Sequence, residues 1–471
     1  YVFEARPWEL KKTETIDVMD AIGSNIRVDT YGWEVKRVLP RINEEINEEW
    51  ISDKTRYACD GLKNQRLDTP FIKKNNKLEK VSWLEAYDEI FDKILKTSSD
   101  KIAGITGDMT NMETLFAVKE FFEKTIKSKN LDSRPDNCYV NSENRKNYIF
   151  NTTLEGIEES DLIILIGTNP RLEATILNLR IRKSYLKNKT QIYTLGDLGD
   201  LTYPYHVIEN TTKVIKDIVD NKHEISKKII NAKKPAIIIG QSVLKKKSGI
   251  YVFEELKKYL SNNDKIKNEW NSLNILSKNA STVGAYDLDI FSSNNGKNIT
   301  LEKIRQNLFE IIFLFGQDDL KIKKNKQYII YIGSHGDKGA EMADIILPGA
   351  AYTEQDGYFT NLEGKIQKAY KASYPPGEAK EDWQIINELS FLINRNNLYS
   401  NKDELINSML NYINLNSKNR NYDIQNYTYF DEKLDVDVID YYHSNPIARA
   451  SKTMSDCKNV RVNFKKTGTE E

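Results

Sequence analysis

Short runs of β-branched and other apolar residues recur along this chain, and several of them end at a glycine that is followed by a polar, helix-like stretch. Each run has the length of a single strand. A strand, a glycine turn and a helix in repetition are typical of a parallel sheet with helices on both faces. The sequence therefore predicts an α/β fold. The predicted strands cover residues 102–106, 162–166, 191–195, 236–240, 311–315 and 328–332.

The first 62 residues have a different pattern. Residues 26–31 and 34–38 alternate between apolar and polar side chains, with Gly32 between them, which predicts a β-hairpin. We therefore expect a small β-rich N-terminal domain ahead of the α/β body. The predicted helices cover residues 83–95, 111–126, 171–186, 213–219 and 382–394.

Composition excludes several classes of protein. Lys+Arg and Asp+Glu are both 69, so the chain lacks the basic excess of most nucleic-acid-binding proteins. Cys59, Cys138 and Cys457 are too few for a disulfide framework, and the four histidines have no metal-type spacing. No apolar run approaches the ~20 residues of a membrane span. Because the chain starts at Tyr1, we expect a fragment or processed product.

The common catalytic signatures are absent from the sequence, which has no P-loop, no nucleophile elbow and no HExxH motif. The loop GSHGDKG at 333–339 follows a predicted strand and could bind a phosphate through its backbone N–H groups. A plain strand-to-helix loop is the favoured interpretation. For His335 in that loop, a general acid–base role is likewise less favoured than that of a loop histidine.

One spacing is informative because of the residues that occupy it. Asp17, Asp20, Ser24 and Ser52 have the spacing of a C-x2-C-x3-C-x27-C motif, a plausible four-thiolate set for a [4Fe-4S] cluster. The sequence has oxygen donors at all four positions, and cluster iron strongly prefers thiolate. If the spacing is more than chance, we expect that no cluster assembles there.

Long segments of the chain resemble a known family. The segments are RPWELKKTETIDVMDAIGSNIRVDT, NTTLEGIEESDLIILIGTNPRLEATILNLRIRKS, AEMADIILPGAAYTEQDGYFTNLEGKIQKAYKASYPPGEAKEDWQIINEL and DYYHSNPIARASKTM. They resemble the largest iron–sulfur subunit of respiratory complex I, the 75 kDa or G-type subunit of NADH:ubiquinone oxidoreductase. The matches run in order over nearly the whole chain. That family belongs to the molybdopterin oxidoreductase superfamily.

The resemblance implies a division into domains. A β-rich domain at 1–62 would resemble a [4Fe-4S] domain of molybdenum and tungsten enzymes without its cluster ligands. Rossmann-like parallel-sheet domains of the molybdopterin oxidoreductase type would follow, one formed by 63–105 with 275–400 and one inserted at 106–274. An irregular C-terminal extension would occupy 401–471, where the tail from Asp440 to Glu471 is a candidate strap for binding a partner.

The resemblance also implies which cofactors are present. The cluster ligands of catalytic relatives fall at Asp17, Asp20, Ser24 and Ser52, so this cluster is implied to be lost. No cofactor is expected in this chain, and the [2Fe-2S] and [4Fe-4S] clusters are expected in a missing N-terminal part. Cys138 lies near the position of a molybdenum ligand, but a small packed residue is the favoured interpretation. The candidates for a vestigial pterin pocket are Gly167, Asn169, Pro170, Gly357 and Asn361.

The function implied is structural. The chain would be a non-catalytic part of the complex I peripheral arm that supports electron transfer from NADH to quinone. Its partners would be other peripheral-arm subunits and its own N-terminal iron–sulfur domain, with no nucleic acid and no membrane span. Its location would be the matrix side of the mitochondrial inner membrane, or the cytoplasmic face of a bacterial membrane. The alternatives are an active molybdopterin-dependent oxidoreductase and a nucleotide-binding α/β scaffold.

Overall fold

Alternating side chains bury one face of a small antiparallel sheet at the N-terminal end of the molecule. The computed structural model describes residues 4–292, 297–416 and 427–464. In the first sheet the strand order is β1-β2-β3, and β2 pairs with both neighbours in antiparallel register. Val28 and Val38 face each other across β2 and β3 and are buried. The predicted β-rich N-terminal unit with its hairpin turn at Gly32 is confirmed.

The strands of the described chain are β1 Lys11–Ile16, β2 Asn25–Tyr31, β3 Glu34–Pro40, β4 Phe71–Lys74, β5 Lys77–Lys80, β6 Ile102–Thr106, β7 Leu131–Asp132, β8 Leu162–Ile166, β9 Gln191–Leu195, β10 His206–Ile208, β11 Pro235–Gly240, β12 Leu273–Leu276, β13 Ile311–Phe315, β14 Tyr328–Gly333, β15 Ile345–Pro348, β16 Gly357–Thr360 and β17 Ile366–Ala369.

The helices of the described chain are α1 Asp53–Tyr57, α2 Trp83–Leu95, α3 Met112–Glu120, α4 Pro170–Glu173, α5 Thr175–Asn188, α6 Thr212–Val219, α7 Glu224–Asn231, α8 Gln241–Leu244, α9 Gly249–Asn262, α10 Thr282–Asp287, α11 Ile299–Arg305, α12 Lys338–Met342, α13 Asp382–Asn394, α14 Lys402–Asn416, α15 Pro446–Ala450 and α16 Lys452–Phe464. A wider π turn, Phe121–Ile126, extends α3, and short 3₁₀ segments cover Ala58–Lys63, Ser99–Lys101, Arg145–Asn147, Gly156–Glu159 and Tyr352–Glu354.

Two larger sheets form the α/β body. One has the order β5-β4-β15-β14-β13-β6-β7, and its strands are parallel from β15 to β7. The other has the order β10-β9-β8-β11-β12 and is parallel throughout. The central strands are buried along their whole length, as expected where helices cover both faces. The predicted α/β class is confirmed.

The division into four domains stays a prediction. β7 pairs with β6, and α3 packs on α13, so the described residues between β6 and β7 lie with the seven-stranded sheet. The segment predicted to be irregular after residue 400 contains α14 in its described part, where Leu405, Met409 and Ile413 are buried in the main hydrophobic core. Their spacing of four residues places them on one helix face. Residues 417–426 and 465–471 of this segment lie outside the described part.

Aromatic side chains fill the centre of the seven-stranded sheet domain. Phe313 is fully buried on β13, and its ring meets Phe121 and Phe122 edge to face with centroids 5.9 Å and 6.1 Å away. Edge-to-face pairs of this kind add to the free energy gained by burying the rings themselves. Among the described residues, we find no helix with the length and apolar character to cross a bilayer.

We expect Phe313→Ala to lower the free energy of unfolding by about 3–5 kcal/mol, because it removes buried ring area and leaves a cavity. Urea denaturation followed by circular dichroism measures the change. Leu415→Ala is the control, since Leu415 is 78% exposed on α14 and its loss should cost about 0.5 kcal/mol or less. Equal losses in the two variants would contradict this account of the core.

Candidate functional site: the replaced cluster position and the interdomain cleft

The four predicted cluster-ligand positions come together in the small N-terminal domain. Asp17 directly follows β1, and its backbone N–H donates to the carbonyl oxygen of Ser24 at 2.8 Å, which closes the loop that carries Asp20. Ser52 is the N-cap of α1, where its hydroxyl accepts from the N–H of Thr55 at 3.2 Å. Asp17, Asp20, Ser24 and Ser52 are each at least 97% buried.

A chain of hydrogen bonds joins two of these positions, Asp17 and Ser52, through Thr55. The hydroxyls of Ser52 and Thr55 lie 2.7 Å apart, and the Thr55 hydroxyl donates to Oδ2 of Asp17 at 2.8 Å. The other Asp17 oxygen, Oδ1, accepts from the N–H of Met19 at 3.1 Å. The oxygens of Asp17 are thus bound by the protein itself. Thr55 is a site residue that the sequence analysis missed, because nothing in the C-x2-C-x3-C-x27-C spacing refers to it.

Asp20 has a separate set of partners. Its Oδ1 accepts from the N–H of Ile22 at 3.0 Å, and its Oδ2 lies 3.9 Å from the ammonium of Lys54. The Lys54 side chain is 4% exposed, which makes this a buried ion pair. Such a pair is costly to break by removing one partner, because the other charge is left without compensation.

Burial raises the pKa of Asp17 to about 7, and the nearby charge of Asp20 acts in the same direction. Burial also raises the pKa of Asp20, while the Lys54 ammonium acts in the opposite direction. Two carboxyl groups this close in a buried site disfavour each other's ionised forms. The carboxyl of Asp17 therefore keeps its proton to a higher pH than an exposed aspartate does.

This donor set does not fit an iron–sulfur cluster. Cluster iron is bound by thiolates, and the positions that the spacing provides carry two carboxyls and two hydroxyls. The Asp17 oxygens and the Ser52 hydroxyl already have protein partners. Cys59 lies on the 3₁₀ segment that follows α1, where burial raises the pKa of its thiol, and a single thiol does not replace a four-ligand set. We therefore derive no electron-transfer step through this position.

The loop after β8 carries three of the vestigial-pocket candidates. Gly167 has φ +59°, and a Cβ there would lie 2.1 Å from Cγ2 of Val243, so packing against α8 accounts for this glycine. Pro170 is the first residue of α4, a position that suits its fixed φ. The Asn169 side chain donates to the carbonyl of Leu198 at 3.1 Å, and its Oδ1 is buried with no hydrogen-bond partner in this structure.

The other two candidates lie near the N-terminal domain. A Cβ at Gly357 would lie 2.6 Å from Nδ2 of Asn111, so the close approach of α3 accounts for the glycine. Asn361 is buried and donates to the carbonyl of Ile22 at 3.3 Å, while its own Oδ1 accepts from the N–H of Lys365 at 2.8 Å. The structure therefore assigns intramolecular contacts to Gly167, Gly357 and Asn361. The assignment of all five to a vestigial pocket stays a prediction.

A cleft of about 870 Å³ opens between the two α/β sheets on the side where their parallel strands end. Open α/β sheets bind ligands at this edge. None of the five candidates lines it. Its walls carry many charged groups, and its outer side is formed by residues from the C-terminal segment. The lining includes Lys54, Asp108, Glu173, Lys245, Lys278, Asp319, Asp437, Asp440, His443 and Arg449.

The GSHGDKG loop has a structural explanation. His335 is 1% exposed, with Nδ1 2.9 Å from the Ser334 hydroxyl and Nε2 2.9 Å from the carbonyl oxygen of Gly61. Burial lowers the pKa of His335 to about 4, and the Arg66 charge adds to this, so the ring is neutral at physiological pH. Held in this way, the ring links the loop to the N-terminal domain.

Cys138 is 2% exposed and packs in a hydrophobic cluster with Tyr139 and Leu244. Burial raises the pKa of its thiol well above the ordinary value, and the charge of Asp136 acts in the same direction. A thiol in this environment stays protonated and packs as a small apolar residue.

Comparison with known proteins agrees with this architecture. Residues 66–391 match the molybdopterin oxidoreductase family, and residues 10–60 match the NADH-ubiquinone oxidoreductase NDSU1/NuoG-like 4Fe-4S domain. Residues 423–457 match the C-terminal domain of the G-type subunit of NADH-ubiquinone oxidoreductase. The NADH-ubiquinone oxidoreductase 75 kDa subunit of Reclinomonas americana is 40% identical over 98% of this chain and 70% of its own length. The chain belongs to this family of complex I subunits.

Other members are similar over the same extent. The G-type subunit of NADH-quinone oxidoreductase from Rickettsia bellii is 38% identical, over 99% of this chain and 68% of its own length. The mitochondrial 78 kDa subunit of Candida albicans is 39% identical over 97% of this chain and 65% of its own length. The chain thus spans about two thirds of these relatives. Acetylene hydratase from Pelobacter acetylenicus shares the fold, with a TM-score of 0.56 and 12% identity over 95% of this chain and 78% of its own.

The comparison changes one expectation. We expected no cofactor in this chain and all clusters in a missing N-terminal part, yet residues 10–60 match a family that is described as a 4Fe-4S domain. The chain therefore does carry a domain of a cluster-binding type. Whether its own residues hold a cluster depends on the chemistry of Asp17, Asp20, Ser24 and Ser52.

We expect Asp17→Asn to stabilise the protein increasingly as the pH rises. The pKa of Asp17 is about 7 in the folded state, above its ordinary value of 3.8, so folded protein holds a proton that unfolded protein releases between about pH 4 and 7. The free energy of unfolding of the wild type therefore decreases as the pH rises from about 4 to 7. The variant has no titrating group at this position, so its free energy of unfolding does not decrease for this reason. The difference from wild type should reach on the order of 4 kcal/mol by pH 8, measured by urea unfolding at several pH values.

Asp403→Asn is the control for this experiment, because Asp403 is exposed at the start of α14. Its difference from wild type should stay nearly constant with pH. Parallel stability curves for wild type and Asp17→Asn across the window would contradict the assigned environment of Asp17.

Proposed function

We propose that this chain is a structural, non-catalytic part of the peripheral arm of NADH:ubiquinone oxidoreductase, where it supports electron transfer from NADH to quinone by cofactors that other parts of the complex hold. Two observations support the proposal. The chain belongs to the family of 75 kDa and G-type subunits. Its own candidate redox position carries oxygen donors that bind one another.

The Asp17–Thr55–Ser52 network is the observation that carries the non-catalytic part of the proposal. A cluster in this domain would need thiolates in place of these side chains. Instead, a packed hydrogen-bond chain occupies the position and holds the start of α1 against the end of β1. The contribution of this domain is therefore rigidity, which keeps neighbouring redox centres at fixed separations.

The molybdopterin alternative has one specific observation in its favour, since residues 66–391 match the molybdopterin oxidoreductase family. The loops that would meet the pterin dinucleotide do not support it, because Gly167 and Gly357 serve close packing within the chain. Cys138 is buried among apolar side chains. We therefore propose that the cleft holds no redox cofactor, and we derive no reaction through one.

The partners we propose are the other subunits of the peripheral arm and an N-terminal iron–sulfur domain of the same subunit, which would carry the [2Fe-2S] and [4Fe-4S] clusters. The location we propose is the matrix side of the mitochondrial inner membrane, or the cytoplasmic face of a bacterial membrane. Support for both comes from the relatives, which are named as mitochondrial and bacterial complex I subunits.

Metal analysis tests the non-catalytic role. After anaerobic reconstitution with iron and sulfide, we expect the purified chain to retain no stoichiometric iron, no molybdenum and no tungsten, and to show no paramagnetic signal on reduction. The variant Asp17→Cys/Asp20→Cys/Ser24→Cys/Ser52→Cys is the matched control, and it should retain about four iron atoms. Stoichiometric iron or molybdenum in the wild-type chain would contradict the proposal.

Membership of the complex has a separate test. On native gels of membranes from cells that express the tagged chain, we expect the tag to migrate with NADH dehydrogenase activity. Activity that migrates as an intact complex without the tag would contradict the proposed place in the arm.

A further inference from the structure

The C-terminal segment 427–458, here named the strap, contacts the N-terminal domain and both of the larger sheet domains. We expected its later part, from Asp440, to bind a partner; this stays a prediction, and the described residues of the strap also pack against this chain. Ile447, Ala448 and Met454 are buried against the N-terminal domain. The strap also lines the 870 Å³ cleft, so its side chains lie at the ligand-binding edge of the two sheets.

The strap begins on the five-stranded sheet domain. Lys433 forms an antiparallel bridge with Thr211, and the N–H of Leu434 donates to the carbonyl of Asn210 at 2.7 Å. Leu434 is fully buried in the core of that domain. The carboxylate of Glu432 accepts from the N–H of Ser248 at 2.6 Å, at the start of α9.

The strap then crosses the cleft. The Asp437 carboxylate binds the Lys245 ammonium and lies 3.6 Å from that of Lys278, and its N–H donates to the Ser242 hydroxyl at 3.1 Å. Burial acts to raise the pKa of Asp437, but the ammonium groups of Lys245 and Lys278 act more strongly in the opposite direction, so the pKa is lowered. Val438 beside it is fully exposed, so the strap surface faces solvent on its outer side.

Residues 445–449 of the strap lie at the crevice of the seven-stranded sheet. Asn445 caps α15 by accepting from the N–H of Ala448 at 2.9 Å, and this short helix presents Arg449. The Arg449 guanidinium binds Asp337 at 2.6 Å and Asp319 at 3.2 Å, and its side chain is 12% exposed. These carboxylates follow β14 and β13, at the edge where a ligand would bind in an open α/β sheet.

Arg449 balances a group of carboxyls that would otherwise face one another. Asp108, Asp318, Asp319 and Asp337 surround it, and burial raises the pKa of Asp108 well above its ordinary value with the Asp319 charge acting in the same direction. Loss of the Arg449 charge leaves these carboxyl groups close together without it, which disfavours the observed position of the strap.

We propose that residues 434–450 of the strap form a wall of the cleft and hold the two α/β domains together across it: Asp437 binds the five-stranded sheet domain and Arg449 binds the seven-stranded sheet domain, with the 870 Å³ of the cleft left open. The site is an interaction surface whose partner is a named segment of the same chain. This inference is independent of the proposed place in complex I, because it concerns contacts within the chain alone.

Hydrogen exchange with mass spectrometry on the full chain tests the inference. In Arg449→Gln, which keeps a polar side chain but loses the charge, we expect the amides of 435–447 and of the loops at 107–110 and 317–319 to exchange at least ten times faster than in wild type. The matched control is Arg145→Gln, since Arg145 forms a two-bond ion pair with Asp287 away from the cleft. Its strap should exchange as in wild type.

Asp437→Asn releases the other side of the strap and keeps the inference testable if Arg449→Gln does not fold. It should accelerate exchange over 435–443. Unchanged exchange of the strap in the folded variants would overturn the proposal. Equal acceleration in Arg145→Gln would also overturn it, because a general loss of stability would then account for the effect.

Discussion

Polar groups that are buried in a protein need hydrogen-bond partners, and this constraint determines the structure of the small N-terminal domain. Asp17, Ser24 and Ser52 lie where water does not reach, in a domain of a cluster-binding type. The Thr55 hydroxyl joins the carboxyl of Asp17 to the hydroxyl of Ser52 and so satisfies both. A metal centre normally ties such loops together by coordination bonds. Here the hydrogen bonds among Asp17, Thr55 and Ser52 connect the loops.

Charged contacts within the chain also lie at the cleft. In an open α/β fold the edge of the sheet is the place where loops leave room for a ligand. In this chain the guanidinium of Arg449 and the carboxylate of Asp437 approach that edge from the strap. The chain thus has the fold of the molybdopterin oxidoreductase family. At the edge of each of its two larger sheets, a charged side chain of the strap forms an ion pair with this chain.

Local pattern predicted the strands well and distant contacts poorly. The strands β6, β8, β9 and β13 coincide with the predicted runs, because fully buried parallel strands are continuous apolar stretches. The edge hairpin of β4 and β5 was missed, since its lysine-rich sequence is that of an exposed edge. At the candidate site, the spacing of the sequence motif identified Asp17 and Ser52. It did not identify Thr55 or Arg449, because their partners Asp17 and Asp337 lie 38 and 112 positions away in the sequence.

The central claim is that oxygen donors closed on one another have replaced an iron–sulfur cluster in the N-terminal domain. An anomalous difference map of the assembled complex, recorded at the iron absorption edge, tests this most directly, because it locates iron without relying on reconstitution. The account predicts no iron peak between Asp17 and Ser52, with continuous density for the Asp17–Thr55–Ser52 hydrogen bonds, while peaks appear at clusters elsewhere in the complex. An iron peak enclosed by Asp17, Asp20, Ser24 and Ser52 would contradict it.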